Sequence, residues 1–443
     1  MKLSTPSLQR LFDVVDILVD ERVGVIKYVC ELPREPGAPD CFHFYAQASS
    51  TSAFVAQKNF ANAGGASADR SLAMAKAIGE AVERYCSAIY DQEDFPLTSF
   101  ESAPFRSIPP EEFALHSHEQ YQQPGFPYVP FERSTLVRWA PTLDALTGET
   151  CHIPASMVYM PYYFDEGDGE RPIAQRISTG LACHCSFAEA AVSSICEVIE
   201  RDAFTITWQA RLDRPQIRLD TLSDRNRELV SRFERSGHAV TLLNLTMDHG
   251  VATVLGVLRH QVPEAPALVF AASADPSPEQ AVRKSLEELA HTRRLAQQLK
   301  RTLPRFVPGP EYNNVATQDD HVHFYTDHAN APLVDFIFSS NDRMAFGEIP
   351  DLATGDPEGD LTAVVQRIRG VGYQVLLVDL TTPDMAELGL TVVRAVIPGF
   401  HPLVIGHRLR ALGGSRLWEV PQKLGYPGIR HESGDNPAPH PYP

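Results

Sequence analysis

Two short stretches carry the residues best suited to chemistry. "KAIGEAVERYCS" (76–87) sets Glu80, Glu83 and Arg84 in an otherwise apolar run, and "SSICEVIERDAFTITW" (193–208) repeats the arrangement with Glu197, Glu200 and Arg201. Carboxylates three residues apart share one face of a helix. In a partly buried place they repel, and each raises the other's pKa unless a cation stands between them. A hard divalent ion meets that need: Mg²⁺ takes oxygen ligands, commonly one or two carboxylates plus substrate phosphates. The arginines would then hold phosphate oxygens through paired N–H donors. The same spacing also describes a solvated helix face, where such ion pairs contribute about 0.2–0.5 kcal/mol each. Spacing alone leaves both readings open, and duplication favours the metal–nucleotide site.

Aligning Ile78 with Ile195 brings Glu80 onto Glu197, Glu83 onto Glu200 and Arg84 onto Arg201, which suggests an internal repeat. Three amphipathic helices must position these groups. The first spans roughly 68–90 and follows "ANAGGAS", a flexible turn signal. The second runs from about 187 to 208, with Ser186 as N-cap and Glu189 at capping-box spacing. The third starts at "SPEQ" (277–280), with Ser277 as N-cap, Pro278 at the first helical position and Gln280 closing the box, and continues to about 300. Glu189 adds a further acid to the second helix, and Lys284 and Glu288 form an i,i+4 pair on the third. Convergence of the three would surround a polyphosphate with acids and bases.

Strand candidates are 24–32, 41–48, 238–246, 251–258, 267–273, 373–381 and 391–399. Interleaved with the helices they indicate an α/β chain of mixed α+β character. Residues 92–175, rich in proline and aromatics, read as an elaborated insertion. The expected organisation is an N-terminal segment (1–40), a catalytic domain (41–430) and a proline-rich tail (431–443).

Composition narrows the function classes. With 443 residues and 43% hydrophobic content the chain can bury a large core, and its formal net charge of −17 disfavours nucleic acid as the main partner. The N-terminus lacks a signal-peptide pattern and no stretch is long and apolar enough to span a bilayer, so a cytoplasmic protein without membrane attachment is expected. Seven scattered cysteines argue against a disulfide framework, and Cys183 with Cys185 lack a second pair at zinc-ligand spacing. There is no GxxxxGK[ST] phosphate loop, no GxGxxG and no GxSxG elbow. "HVH" (321–323) reads as two surface histidines on a strand.

Taken in order, "AMAKAIGEAVERYC", "ISTGLACHCSFAEAAVSSICEVIERDAFTITW", "TVVRAVIPGFHPL", "RLWEVPQKLGY" and the closing "PAPHPYP" resemble the YcaO-domain family from about residue 40 onward. More narrowly they resemble the D-protein cyclodehydratases that install thiazoline and oxazoline rings in ribosomally made peptides. The resemblance implies a YcaO fold, with three amphipathic helices packed on mixed sheets around an ATP site, and ATP and Mg²⁺ as cofactors. By motif position it implies nucleotide contacts from Glu80, Glu83, Glu189, Glu197, Glu200 and Arg201, with Glu80, Glu83, Glu197 and Glu200 on the metal. Lys284 and Glu288 occupy the place of a family Arg and Glu. Lys76 stands where many relatives carry Ser, and "NAGGAS" lacks the Lys of their glycine turn. Arg201 and the terminal carboxylate of Pro443 take the catalytic roles, the latter delivered by a stiff polyproline tail.

The implied reaction is attack of a Cys, Ser or Thr side chain on the preceding backbone carbonyl, with ATP turning the amide oxygen into a leaving group. Partners implied are the precursor peptide, a separate leader-binding C protein, a flavin-dependent azoline dehydrogenase and a second copy of the chain. Motifs leave open thioamide or amidine formation on the same fold, and a catalytically silent scaffold.

Overall fold

The apolar alternation in the strand candidates resolves into three sheets, seen in a computed structural model that describes residues 6–164, 167–430 and 434–442. The first sheet is an antiparallel meander of Ile26–Glu31, Phe42–Ala48 and Asn62–Ser67. The second runs in the order Leu268–Ala274, Thr253–Arg259, Ala239–Asn244, Gln216–Ile217 and Arg343–Met344, and only its last pair is parallel. The third sets Leu97–Thr98, Val137–Asp144, Leu376–Asp379, Thr391–Val396 and Leu181–His184 side by side, all antiparallel. Thr150–Pro154 returns as a hairpin on Val137–Asp144. The fold is the mixed α/β one expected.

Four helices matter to the site: α1 (Pro6–Leu18), α2 (Arg70–Cys86), α3 (Phe187–Gln209) and α4 (Pro278–Thr302). Helix α2 lies on the first sheet and touches Leu181–His184 of the third. Helix α3 lies on the third and touches Leu268–Ala274 of the second, and α4 covers the second and touches Asn62–Ser67 of the first. Sheets and helices therefore alternate round a closed ring.

Local chemistry sets the helix starts. The Asp69 carboxylate accepts the Leu72 N–H at 3.0 Å, and the Ser186 hydroxyl accepts that of Glu189 at 3.3 Å. The capping box expected at Ser277 does not form. Instead Asp275 accepts the Ser277 N–H on one oxygen and Lys284 Nζ on the other, at 2.9 and 2.7 Å, so a carboxylate two residues upstream organises that end.

The second half of α3, from Asp202 to Gln209, is buried all round, which is why its apolar stripe loses helical contrast. Asp202 survives there because Arg416, also fully buried, meets it at 2.7 Å and reaches Asp248 at 3.0 Å.

Three expectations are corrected. "NAGGAS" is a strand, not a turn: Asn62–Ser67 pairs with Phe42–Ala48 along its whole length. Its glycines answer to packing, since a Cβ on Gly65 would stand 2.3 Å from the Ala73 carbonyl oxygen of α2. "HVH" lies on helix Gln318–Phe324 with both histidines buried. His321 accepts the Gly406 N–H on Nε2, so its proton sits on Nδ1 and is donated to the His440 carbonyl at 2.8 Å. Finally, strands Val137–Asp144, Thr150–Pro154 and Leu181–His184 escaped the period-2 reading, the first because Pro141 interrupts it. Among the described residues no helix is long and apolar enough to cross a membrane, and all seven cysteines are free.

The proline-rich tail is read through its carbonyls, as prolines offer no N–H. Trp208 Nε1 donates to Ala438 O at 3.2 Å, Tyr325 to Pro439 O at 2.7 Å and His321 to His440 O, so residues 438–442 run buried beside α3.

Candidate functional site

At the centre of the ring lies a cavity of about 620 Å³. Lys76, Glu80 and Glu83 of α2, Glu189, Glu197, Glu200 and Arg201 of α3, and Lys284 and Glu288 of α4 all line it. The three helices converge, and every described residue assigned to the nucleotide and metal is brought to one space. Pro443 lies outside the described residues.

The two charged helices use their acids in the same way. Glu80 accepts the Gly64 N–H at 2.6 Å and pairs with Arg84 at 2.5 Å, while Glu197 accepts the Gly180 N–H at 2.8 Å and pairs with Arg201 at 3.4 Å. Each outer glutamate thus ties a helix back to a glycine just before it, which extends the internal repeat beyond the ExxER motifs. The copies diverge at the arginine: Arg201 lines the cavity and Arg84 does not.

The inner glutamates carry the electrostatic load. Burial, then the charges of Glu80 and Glu197, push the Glu83 carboxyl well above its usual range against the pull of the Cys183 N–H, donated at 2.8 Å. Burial pushes Glu200 up to about 7, opposed by Arg201 and by the hydroxyl of Tyr442, donated at 2.5 Å. Burial works against the charge on Arg201, but Tyr442, Glu200 and Glu197 together hold it protonated. Its guanidinium lies 4.6 Å from the centre of the Tyr442 ring. Arg201 Nε and Nη1 are buried without a hydrogen-bond partner among the described residues, although Nε stands 3.6 Å from Glu200 Oε1 in an ion pair.

On the opposite wall the expected Lys284–Glu288 pair is not formed. Lys284 is held by Asp275, and Glu288 pairs with Lys76 at 3.2 Å. Lys76 also meets the buried Glu287 at 3.0 Å, so this α2 lysine reaches across to α4. The competition is geometric: Asp275 stands at the start of α4 beside Lys284, and α2 brings Lys76 within reach of Glu288.

Sequence reasoning missed several lining residues. His291 of α4 lies 3.7 Å from Glu288, which helps raise its pKa against burial. Tyr442 arrives on the tail. Ser7 of α1 donates to both Glu189 oxygens, at 2.7 and 2.8 Å, and Leu8 and Leu11 close that side. A lone histidine, a terminal tyrosine and an early serine carry no local signal. Only the tail's proline spacing pointed to one of them.

The site suits a metal–polyphosphate. Carboxyls whose pKa values are raised chiefly by burial call for a cation, and the unpartnered Nη1 of Arg201 calls for an anionic oxygen. Among the described residues no three acidic, imidazole or thiol groups converge on one point. That suits Mg²⁺, which binds through a few carboxylates completed by phosphates rather than in an all-protein cage.

Comparison with known proteins agrees. A family model described as YcaO cyclodehydratase, ATP- and Mg²⁺-binding, matches residues 64–401. An uncharacterised protein of Methanothermobacter thermautotrophicus is 30% identical over 363 residues, covering 78% of this chain and 85% of its own length. A solved heterocyclase in complex with substrate and cofactor shares the fold with a TM-score of 0.79 at 21% identity, over 100% of this chain and 59% of that one. YcaO from Methanopyrus kandleri, bound with AMPPCP and Mg²⁺, gives a TM-score of 0.62 at 20% identity over 89% of this chain and 90% of that one. The chain thus spans little more than half the length of the first of these solved relatives. Its helices, sheets and converging carboxylates, together with the family match over most of its length, place it plainly: the chain belongs to the YcaO cyclodehydratase family, whose cofactors are ATP and Mg²⁺.

Proposed function

We propose that this protein is an ATP- and Mg²⁺-dependent cyclodehydratase that closes Cys, Ser or Thr residues of a ribosomally made precursor peptide into thiazoline or oxazoline rings. The observation that carries the reading is the meeting of nine charged residues from three helices in one cavity, with the buried Nη1 of Arg201 lacking a hydrogen-bond partner among the described residues. Mg-ATP, when bound, supplies the phosphoryl group that makes an amide oxygen able to leave.

The chain's own residues supply position and charge. Glu80, Glu83, Glu197 and Glu200 present carboxylates to the metal, and Glu189 and Glu288 set the outer limits of the nucleotide space. Arg201 holds a phosphate oxygen with Nη1, and the Tyr442 ring packs against its guanidinium. Lys76 and Lys284, each anchored by an acid, contribute positive potential on the α4 side. Pro443, the residue after Tyr442, serves as the group that takes protons during ring closure. A leader-binding partner presents the peptide, an azoline dehydrogenase acts on the product, and the chain works as a homodimer in the cytoplasm.

The test is direct. Purified protein with its partner, candidate peptide and Mg-ATP should release ADP and phosphate in step with loss of one water per ring, read by mass spectrometry. Nucleotide turnover with no loss of water from any co-encoded peptide removes the azoline assignment and leaves the nucleotide site standing.

A further inference from the structure

Arg201 has a second neighbour. Besides the nucleotide cavity it lines a separate, apolar cavity of about 120 Å³, walled by Leu115, Met157, Ile177, Val396, Ile397 and Val404. Among the described residues no carboxylate lines this second space, and the charged groups there are Arg201 and Arg394. Arg394 is buried and spends two of its donors on the carbonyls of Ile177 and Ser178, at 3.0 and 2.9 Å, which fixes one wall.

The partition between the two spaces is thin. Gly180 gives its N–H to Glu197 on the nucleotide side, while its neighbours Thr179, Val198 and Ala395 line the apolar side. A Cβ on Gly180 would stand 2.3 Å from the Ala395 carbonyl oxygen and 3.0 Å from Val198, and its φ is +89°. Only a bare backbone fits between the two spaces there.

A transfer from nucleotide to amide oxygen requires the second substrate beside the phosphates and within reach of the same cation. We infer that the apolar cavity seats the side chain of the peptide residue whose carbonyl is activated, the residue before the cyclised Cys, Ser or Thr, and so selects an apolar residue there. The inference rests on the reading under Proposed function and assigns its substrate preference. The occupant is argued from continuity through Arg201, from walls that are mostly apolar, and from a size that suits one side chain. Glycine would leave those walls unfilled.

The test uses labelled hexapeptides Gly-Gly-Xaa-Cys-Gly-Gly with Xaa as Leu, Phe or Gly, and binding by fluorescence anisotropy with Mg-ATP present. The Leu and Phe peptides should bind about ten-fold or more tightly than the Gly peptide. Ala174→Trp, which fills the cavity, should remove that preference while Mg-ATP affinity stays as in the wild type. Met157→Ala, which enlarges it, should shift the preference from Leu towards Phe. Equal binding of all three peptides, or a preference that survives unchanged in Ala174→Trp, overturns the inference. The two readings fail separately: wild-type protein that binds no Mg-ATP, or binds it as well as Glu83→Gln does, removes the nucleotide site, whereas intact nucleotide binding without peptide preference removes only this one.

Discussion

Tyr442 and Glu200 stand 242 residues apart in the chain, and the tyrosine hydroxyl donates to Glu200 Oε1 at 2.5 Å. The bond joins a tail held by its carbonyls to the inner carboxylate of α3. It also works against the burial that raises the Glu200 pKa. Tyr442→Phe keeps the ring over Arg201 and removes the bond, so Glu200 should hold its proton to higher pH. Mg-ATP affinity at pH 7 should fall about ten-fold, measured by titration calorimetry.

Nucleotide binding should release protons. Below about pH 7 Glu200 is protonated, and Glu83 is raised in the same sense by burial and by Glu80 and Glu197. A cation binds only the ionised carboxylates, so Mg-ATP affinity should climb as pH rises through 7. Calorimetry in buffers of different ionisation enthalpy reads the protons directly. The stability of the nucleotide-free protein runs the other way. Unfolded Glu200 loses its proton near 4.5 and the folded group near 7, so this group's contribution falls as pH climbs between those values.

The inner carboxylates therefore cost stability for the sake of binding. Glu83→Gln removes a buried charge beside two others, so the nucleotide-free variant should melt above the wild type, with a gain of about 1 kcal/mol. Mg-ATP should no longer raise its melting temperature. Thermal melts with and without nucleotide measure both effects, and a variant that melts lower and still responds to Mg-ATP contradicts the assignment.

The adjacent glycines of Asn62–Ser67 should behave differently. A Cβ on Gly65 meets backbone of α2, 2.3 Å from Ala73 O and 2.6 Å from Ala77 N, so Gly65→Ala should destabilise the chain by about 2 kcal/mol or more. A Cβ on Gly64 meets only the His291 ring at 2.8 Å, and a side chain can turn aside. Gly64→Ala should fold with near-normal stability and show its effect in nucleotide affinity. Denaturant melts and calorimetry on the pair separate the two.

Helical periodicity made α2, α3 and α4 legible in the sequence, and the duplicated ExxER motif brought out the acids that line the cavity. What it could not convey was long-range approach. "NAGGAS" looks like a turn because glycine breaks local order, yet its glycines exist so that α2 can press on a strand. Lys284 and Glu288 sit at pairing distance along α4, yet Asp275 and Lys76 claim them first. Tyr442, His291 and Ser7 reach the cavity only because the ring closes, and of the three only Tyr442, set between the tail prolines, has sequence neighbours that announce it.

The alternation of sheet and helix has a consequence for how the molecule responds to its nucleotide. Each of α2, α3 and α4 rests on two sheets, so a ligand that grips all three ties every sheet to the others, as a keystone locks an arch. Occupancy should therefore register as resistance of the whole chain to unfolding, worth about 2.7 kcal/mol at a hundred times the dissociation constant. Amide exchange should slow even in Ala239–Asn244, a strand that contributes nothing to the cavity wall.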